Sequence, residues 1–336
     1  MKMIQINRII KLSVAFTAIA ASAFAVSCSE WTEPESIDFE EGIVEPSQEY
    51  LAALREYKKS DHKISMLMIE LPSKQPANRN QHVVAMPDSA DYICVRNAVN
   101  GIYPALVQEI SQVRNDKGTE VLCEVNYTTV FEQWTAIEDA KENEPAGTEE
   151  EYIKFVSEKI AAQLECCDQY GFGGIMVTMD NVDNEFYTKG LSSLLEAIET
   201  WRTLHSSLMV ILQGDFISLP DDSILDYSEY IVIPMKDAYS PSLYTEAVKL
   251  AFLGFDKGKD KVIIEVAVPN DDFPQNDEGK FKEFQPFSAA KWVNEPDPDF
   301  GRKGILISNV QQDYTIAGAY PVSRRAISLL NPSVAE

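Results

Sequence analysis

The chain has 336 residues, with 53 acidic against 29 basic side chains and a formal charge of −24. A hydrophobic fraction of 45% with 10% aromatics excludes a disordered chain and is ample for a sizeable core. So acidic a balance excludes broad contact with nucleic-acid phosphates or anionic lipid, both of which need stripes of Lys and Arg. The only histidines, His62, His82 and His205, leave little for a His-based metal site or a Ser-His-Asp triad. What remains is a neutral ligand or a protein partner, with no motif that demands a metal or a cofactor.

The chain opens with a basic segment, Lys2, Arg8 and Lys11, followed by an uncharged apolar stretch over 12–26. That is the length of a signal-peptide core and is short of the roughly 20 residues a bilayer span needs. Ala25-Val26-Ser27-Cys28 then looks like a bacterial lipobox, with Cys28 the residue to be acylated. The expected order is a lipoprotein signal over 1–27, an acidic tether over 28–46 and one folded domain over 47–336. The tether holds Glu30, Glu33, Glu35, Asp38, Glu40, Glu41 and Glu45, and no base appears until Arg55. Like charges keep such a segment extended. An acidic stretch behind a lipid cysteine resembles the surface-export signal of lipoproteins in Gram-negative glycan foragers. It implies an outer-membrane lipoprotein facing the cell exterior. Cys94, Cys123, Cys166 and Cys167 sit in apolar surroundings and read as buried free thiols.

A first helix is expected from Ser47, with Tyr50, Leu51, Leu54 and Tyr57 on one face. Apolar, β-branched runs then recur at 64–71, 92–97, 120–127, 174–179, 208–213, 230–234, 262–268 and 304–308. Their starts lie roughly 34 residues apart, the length of one strand–loop–helix–loop unit. Helical periodicity fills several gaps, most clearly 152–170, 191–206 and 242–253. Eight such runs alternating with amphipathic helices predict a single-domain α/β fold, a (β/α)8 TIM barrel. An open doubly wound sheet is the competing arrangement, but no G-x-G-x-x-G follows the first run and no P-loop occurs.

In a barrel of this kind ligands meet the carboxyl ends of the strands. The residues closing each run are therefore the ones to read. They include Glu70, Arg96, Asn97, Glu124, Asn126, Thr178, Asp180, Gln213, Asp215, Asp237, Glu265, Asn270 and Asn309. Side chains alternate along a strand, so about half of these face the mouth.

The fourth run, Phe172-Gly173-Gly174-Ile175-Met176-Val177-Thr178-Met179-Asp180, resembles the fourth strand of glycoside hydrolase family 18, the chitinases and endo-β-N-acetylglucosaminidases. There the stretch reads F-D-G-I/L-D-I/F-D-W/Y/L-E. With period 2, its last three acids point into the mouth. The resemblance implies that the terminal Glu protonates the leaving oxygen. The Asp two residues earlier orients the substrate's N-acetyl group, whose carbonyl oxygen is the nucleophile. Here Phe172, Gly174 and Ile175 match, but Gly173, Met176 and Thr178 replace the three aspartates and Asp180 replaces the glutamate. Further stretches fit the bacterial endoglycosidase branch: Tyr50 to Lys59, Met86 to Asp91, and Gln312-Asp313-Tyr314 with Asn331-Pro332.

These departures are expected to remove catalysis. An aspartate ends roughly 1.5 Å short of a glutamate's reach, and a misplacement of about 1 Å can cost on the order of a hundredfold in rate. Neither Thr178 nor Met176 supplies the charge that steadies the developing cation. A sugar-binding mouth would remain, with aromatic rings for sugar faces and amides for hydroxyls. The expected glycan contacts are Tyr127, Trp134, Tyr187, Trp292, Asn126 and Gln213. The resemblance adds Tyr239, since in the family a tyrosine closing strand six touches the N-acetyl group.

Three readings follow. The first is a non-catalytic, surface-anchored lipoprotein that binds N-acetylglucosamine-containing glycans for uptake, beside an outer-membrane glycan transporter. The second is an altered endo-β-N-acetylglucosaminidase using Asp180. The third is a structural lipoprotein whose barrel serves as a scaffold for a partner protein.

Overall fold

The computed structural model describes residues 46–72, 74–141, 145–235, 240–268, 284–315 and 318–332. Strands β1 (Ile64–Glu70), β2 (Tyr92–Arg96), β3 (Glu120–Asn126), β4 (Gly174–Met179), β5 (Met209–Gly214), β6 (Tyr230–Pro234), β7 (Val262–Ala267) and β8 (Arg302–Ser308) pair in parallel, each with the next. The ring closes where β8 pairs back onto β1, Gly304 opposite Ile64 and Ile307 opposite Leu67. The (β/α)8 barrel expected from the sequence is therefore the observed fold, and every strand falls within two residues of its expected bounds.

The strands read as near-continuous apolar runs because both of their faces are covered. Inward, Met66, Met68, Cys94, Leu122, Met176, Ile211, Val232, Ile263 and Leu306 fill the barrel with almost no solvent exposure. Tyr92 and Tyr230 close its lower end, edge to face with ring centroids 6.0 Å apart. Outward, the alternate residues meet a ring of helices. These are α1 (Gln48–Lys59), α2 (Leu106–Lys117), α3 (Tyr127–Asp139), α4 (Glu149–Tyr170), α5 (Glu185–Leu204), α6 (Ser223–Tyr227), α7 (Pro241–Ala251), α8 (Gln285–Asn294) and α9 (Pro321–Leu330).

Local chemistry sets the helix ends. Thr148 and Glu151 form a reciprocal capping box at the start of α4, with Thr148 N–H donating to Glu151 at 2.8 Å. Asn184 caps α5 by accepting from the backbone of Phe186 and Tyr187. In α1, Leu51 and Leu54 are buried, but Tyr50 and Tyr57 are exposed and flank the expected apolar face instead of completing it. Gly214 ends β5 at φ +126°, where a Cβ would collide with the carbonyl oxygen of Met179, so only glycine lets β5 end against β4 there. Cys94, Cys123, Cys166 and Cys167 are buried and unbridged. Among the described residues no helix is long and apolar enough to cross a membrane.

At the amino ends of the strands, Asp91 clasps β1. Its carboxylate accepts from the backbone N–H and hydroxyl of Ser65, each at 2.8 Å, and from His62 Nε2 at 2.9 Å. His62 Nδ1 faces the carbonyl of Ser60 at 2.7 Å. Both ring nitrogens thus face acceptors, an arrangement that only the doubly protonated imidazolium satisfies. The Asp91 hydrogen bond accordingly holds the His62 pKa above its ordinary value, against the opposing effect of burial.

A pH dependence follows. The folded-state pKa of His62 is raised, so its contribution to stability is fully present below the unfolded value of about 6.5 and is lost as pH rises through the folded value. The stability difference between the wild type and His62→Gln, measured by denaturant titration, should be larger at pH 6 than at pH 8.5. A difference that stays flat across that window would mean the contact is made by the neutral ring.

Candidate functional site

The inward-facing residues continue upward by twos. Above Met68, Cys94, Leu122, Met176, Ile211 and Ile263 come Glu70, Arg96, Glu124, Thr178, Gln213 and Glu265, so a polar layer rests directly on the apolar one. Two hydrogen-bonded groups make up this layer.

The first group spans β1 to β3. Glu124 is 3% exposed, and its carboxylate accepts from the Asn97 backbone N–H and from Asn126 Nδ2, both at 3.2 Å. Arg96 Nε stands 3.4 Å from the same carboxylate. Asn97 lies in the left-handed region at φ 54° and donates its side-chain amide to Glu70 at 3.2 Å. From α4, Gln163 accepts from the Asn126 backbone at 2.7 Å and so buttresses the end of β3.

The second group links β4, β5 and β7. Thr178 Oγ1 donates to Gln213 Oε1 at 2.7 Å, and Gln213 Nε2 donates to Glu265 Oε2 at 2.6 Å. Desolvation raises the Glu265 pKa above the ordinary carboxyl value. Hydrogen bonds from Gln213 and Ser308 and the Arg96 charge work against that shift, while Glu124 adds to it.

The β4 alternation is as the sequence implied. Met176 is sealed in the barrel interior, Thr178 reaches the mouth, and Asp180 stands just past the strand end. The Asp180 backbone N–H is held by Thr128 Oγ1 at 2.9 Å and by the Tyr187 hydroxyl at 3.0 Å. Together with Asn181, Asp215 and Leu250 it lines a groove of about 400 Å³ at the rim.

Most of the expected glycan-stacking rings are elsewhere. Tyr127 and Tyr187 are fully buried, their centroids 4.6 Å apart, and the Tyr127 hydroxyl donates to the Tyr187 carbonyl. Trp292 is 1% exposed, sits under the Arg302 guanidinium at 3.9 Å, and donates Nε1–H to Thr245. Trp134 is half-buried between α3 and α4, packed edge-on to Tyr152 and against Phe155. These rings are packing residues and present no face to a ligand at the mouth. Asn126 and Gln213 do stand there, but their amides are engaged with the protein: Asn126 Oδ1 caps α3 through Thr129, and Gln213 bridges Thr178 to Glu265. Tyr239 and Cys28 lie outside the described residues. Asn184 caps α5, and Glu185 pairs with Lys189. Among the described residues no cluster of three His, Cys, Asp or Glu could hold a metal ion.

The residues the site is built on, Arg96, Glu124 and Glu265, all close strands in the sequence. Counting by twos from the buried Met176 layer selects them; searching for aromatics passes over them.

A closed eight-stranded barrel with its polar layer at the strand carboxyl ends is the architecture of the (β/α)8 enzymes. The model of glycoside hydrolase family 18, BT1044-like, matches residues 32–329, and the chain belongs to that family. Among solved structures, a selenomethionine, glutamate-to-glutamine form of BT1044 shares 16% identity over 87% of this chain and 95% of its own, with a TM-score of 0.59. The apo endo-β-N-acetylglucosaminidase from Cordyceps militaris shares 15% over 86% and 97%, with a TM-score of 0.60. A double mutant of the Cordyceps enzyme, in complex with fucosyl-N-acetylglucosamine-Asn, gives 15% identity over the same shares and 0.59. No curated protein matches the chain.

Because Trp292 is a packing residue, Trp292→Ala should cost about 3–5 kcal/mol of stability, the usual price of emptying a large aromatic site. Denaturant unfolding would measure it. A near-neutral effect would mean the ring is not held as described.

Proposed function

We propose that this family-18 barrel is a non-catalytic glycan-binding protein, carried on the outer membrane by a lipid at Cys28 and facing the cell exterior. The observation that carries the reading is β4. Its inward positions are a methionine sealed in the core, a threonine bound to Gln213, and an aspartate one methylene shorter than the acid of the family pattern. Hydrolysis by this family's route needs a carboxyl that reaches the leaving oxygen and a second charge beside the acetamide. Thr178 supplies no charge, and Asp180 has no inward carboxylate two residues before it. Members of one fold readily keep binding and lose chemistry. The glycan class follows the relatives: the Cordyceps enzyme is named for N-acetylglucosamine linkages, and its variant is held in complex with fucosyl-N-acetylglucosamine-Asn. The polar layer supports a saccharide ligand, since carboxylates, amides and a guanidinium suit hydroxyl groups.

Soluble protein starting at Ser29 should not turn over a chromogenic chitobioside or release an N-glycan above buffer, and it should bind such glycans in calorimetric titration. Clear cleavage that disappears in Asp180→Asn would replace this reading with that of an altered endoglycosidase.

Cys28→Ala should either release the mature protein from the membrane fraction or leave its precursor unprocessed. Mature variant that still pellets with membranes would refute anchoring at this position.

A further inference from the structure

The mouth holds three carboxyl groups on β1, β3 and β7 and a guanidinium on β2, and the family motif accounts for none of them. Glu124 is fixed by three contacts and buried. Glu265 is held by Gln213. Arg96 Nε is buried without a hydrogen-bond partner and lies 3.4 Å from Glu124. Its side chain is 39% exposed, open toward the mouth.

We infer that Arg96 and Glu265 form the ligand-contacting centre of this protein, and that it takes a neutral sugar by its ring substituents. The proposal rests on the glycan-binding reading above and deepens it by naming the residues that make the contact.

A sugar hydroxyl is both donor and acceptor. Placed between a guanidinium and a carboxylate it accepts from one and donates to the other, and such charge-assisted bonds polarise each other. The exposed end of Arg96 supplies the donors, and the Glu265 carboxyl, half-buried at the mouth, supplies the acceptor. The balance of charge favours a neutral ligand. Arg96 is offset by Glu124 at its side. An anionic sugar would meet Glu70, Glu124 and Glu265, and a cationic one would meet Arg96. Both residues are on strands of the closed ring, so the centre is rigid before any ligand arrives.

Calorimetric titration with N,N′-diacetylchitobiose and with a free trimannosyl-core N-glycan tests this. For each probe the wild type binds, Arg96→Met should weaken affinity about tenfold or more, the scale of one hydrogen bond to a charged group. Glu265→Gln, which keeps shape and removes the charge, should weaken it about threefold or more. Lys154→Gln on the outer face of α4 loses a charge far from the mouth and should bind as the wild type does. Wild-type affinity should change little between low and high salt, since the ligand is neutral. Arg96→Lys provides a second variant if Arg96→Met does not fold, and should still lose affinity because a point charge cannot reproduce the guanidinium fork. Binding unchanged in all three mouth variants would overturn the inference while leaving glycan binding intact. Strongly salt-dependent affinity would overturn the neutral-ligand assignment, and failure of the wild type to bind either probe would overturn both readings.

Discussion

The inward-facing residues Met66, Met68, Cys94, Leu122, Met176, Ile211, Val232, Ile263 and Leu306 fill the interior of the barrel beneath the mouth. Side chains alternate with period 2, so Met68, Cys94, Leu122, Met176, Ile211 and Ile263 each commit the residue two positions later to the mouth. Strand pairing then fixes who stands beside whom: Glu70 is opposite Arg96, Asn126 opposite Thr178, and Thr178 opposite Gln213. A slip of one residue in any strand would drive a polar side chain into the apolar interior and an aliphatic one to the mouth. The site is therefore held in place by the same packing that closes the barrel.

That constraint explains why the mouth differs in kind from the one the family motif describes. The three aspartates of the family's β4 pattern are absent. The structure instead gathers carboxyl groups from β1, β3 and β7 around Arg96. The cost of drying such a mouth is met by internal pairing: Glu124 is satisfied by Asn97, Asn126 and Arg96, and Glu265 by Gln213. Polarity has been redistributed around the ring more than it has been removed.

The sequence made the architecture legible because a strand covered on both faces must be apolar throughout, and eight such runs stand out against polar connections. It also made the β4 departures legible, since motif positions can be read one by one. It did not reveal which aromatics face solvent. Tyr127, Tyr187, Trp134 and Trp292 all follow or approach strand ends, where a ligand-stacking ring and a helix-packing ring have the same sequence position. The α3, α4 and α5 helices converge there, and Tyr127, Tyr152, Phe131 and Tyr187 pack on one another to join them. Hydroxyl contacts tie that cluster to the backbone of Asp180, so rings expected to touch ligand instead set the position of the β4 end. Arg96, Glu124 and Glu265 were visible as strand-closing residues, but nothing local distinguishes a charge that faces a mouth from one that faces water.

The Thr178–Gln213–Glu265 relay has a direction: a hydroxyl donates to the amide oxygen, and the amide nitrogen donates to a carboxyl group. An ionised aspartate at 178 has no hydrogen to give, so Thr178→Asp requires the Gln213 amide to turn over and donate to it. The amide oxygen then faces Glu265, and two acceptors meet unless Glu265 carries a proton. A mismatch of this kind between buried groups costs about 1–3 kcal/mol. A carboxylate at 178 thus takes a concerted change at two strands, and Thr178→Asp made alone gives a less stable protein.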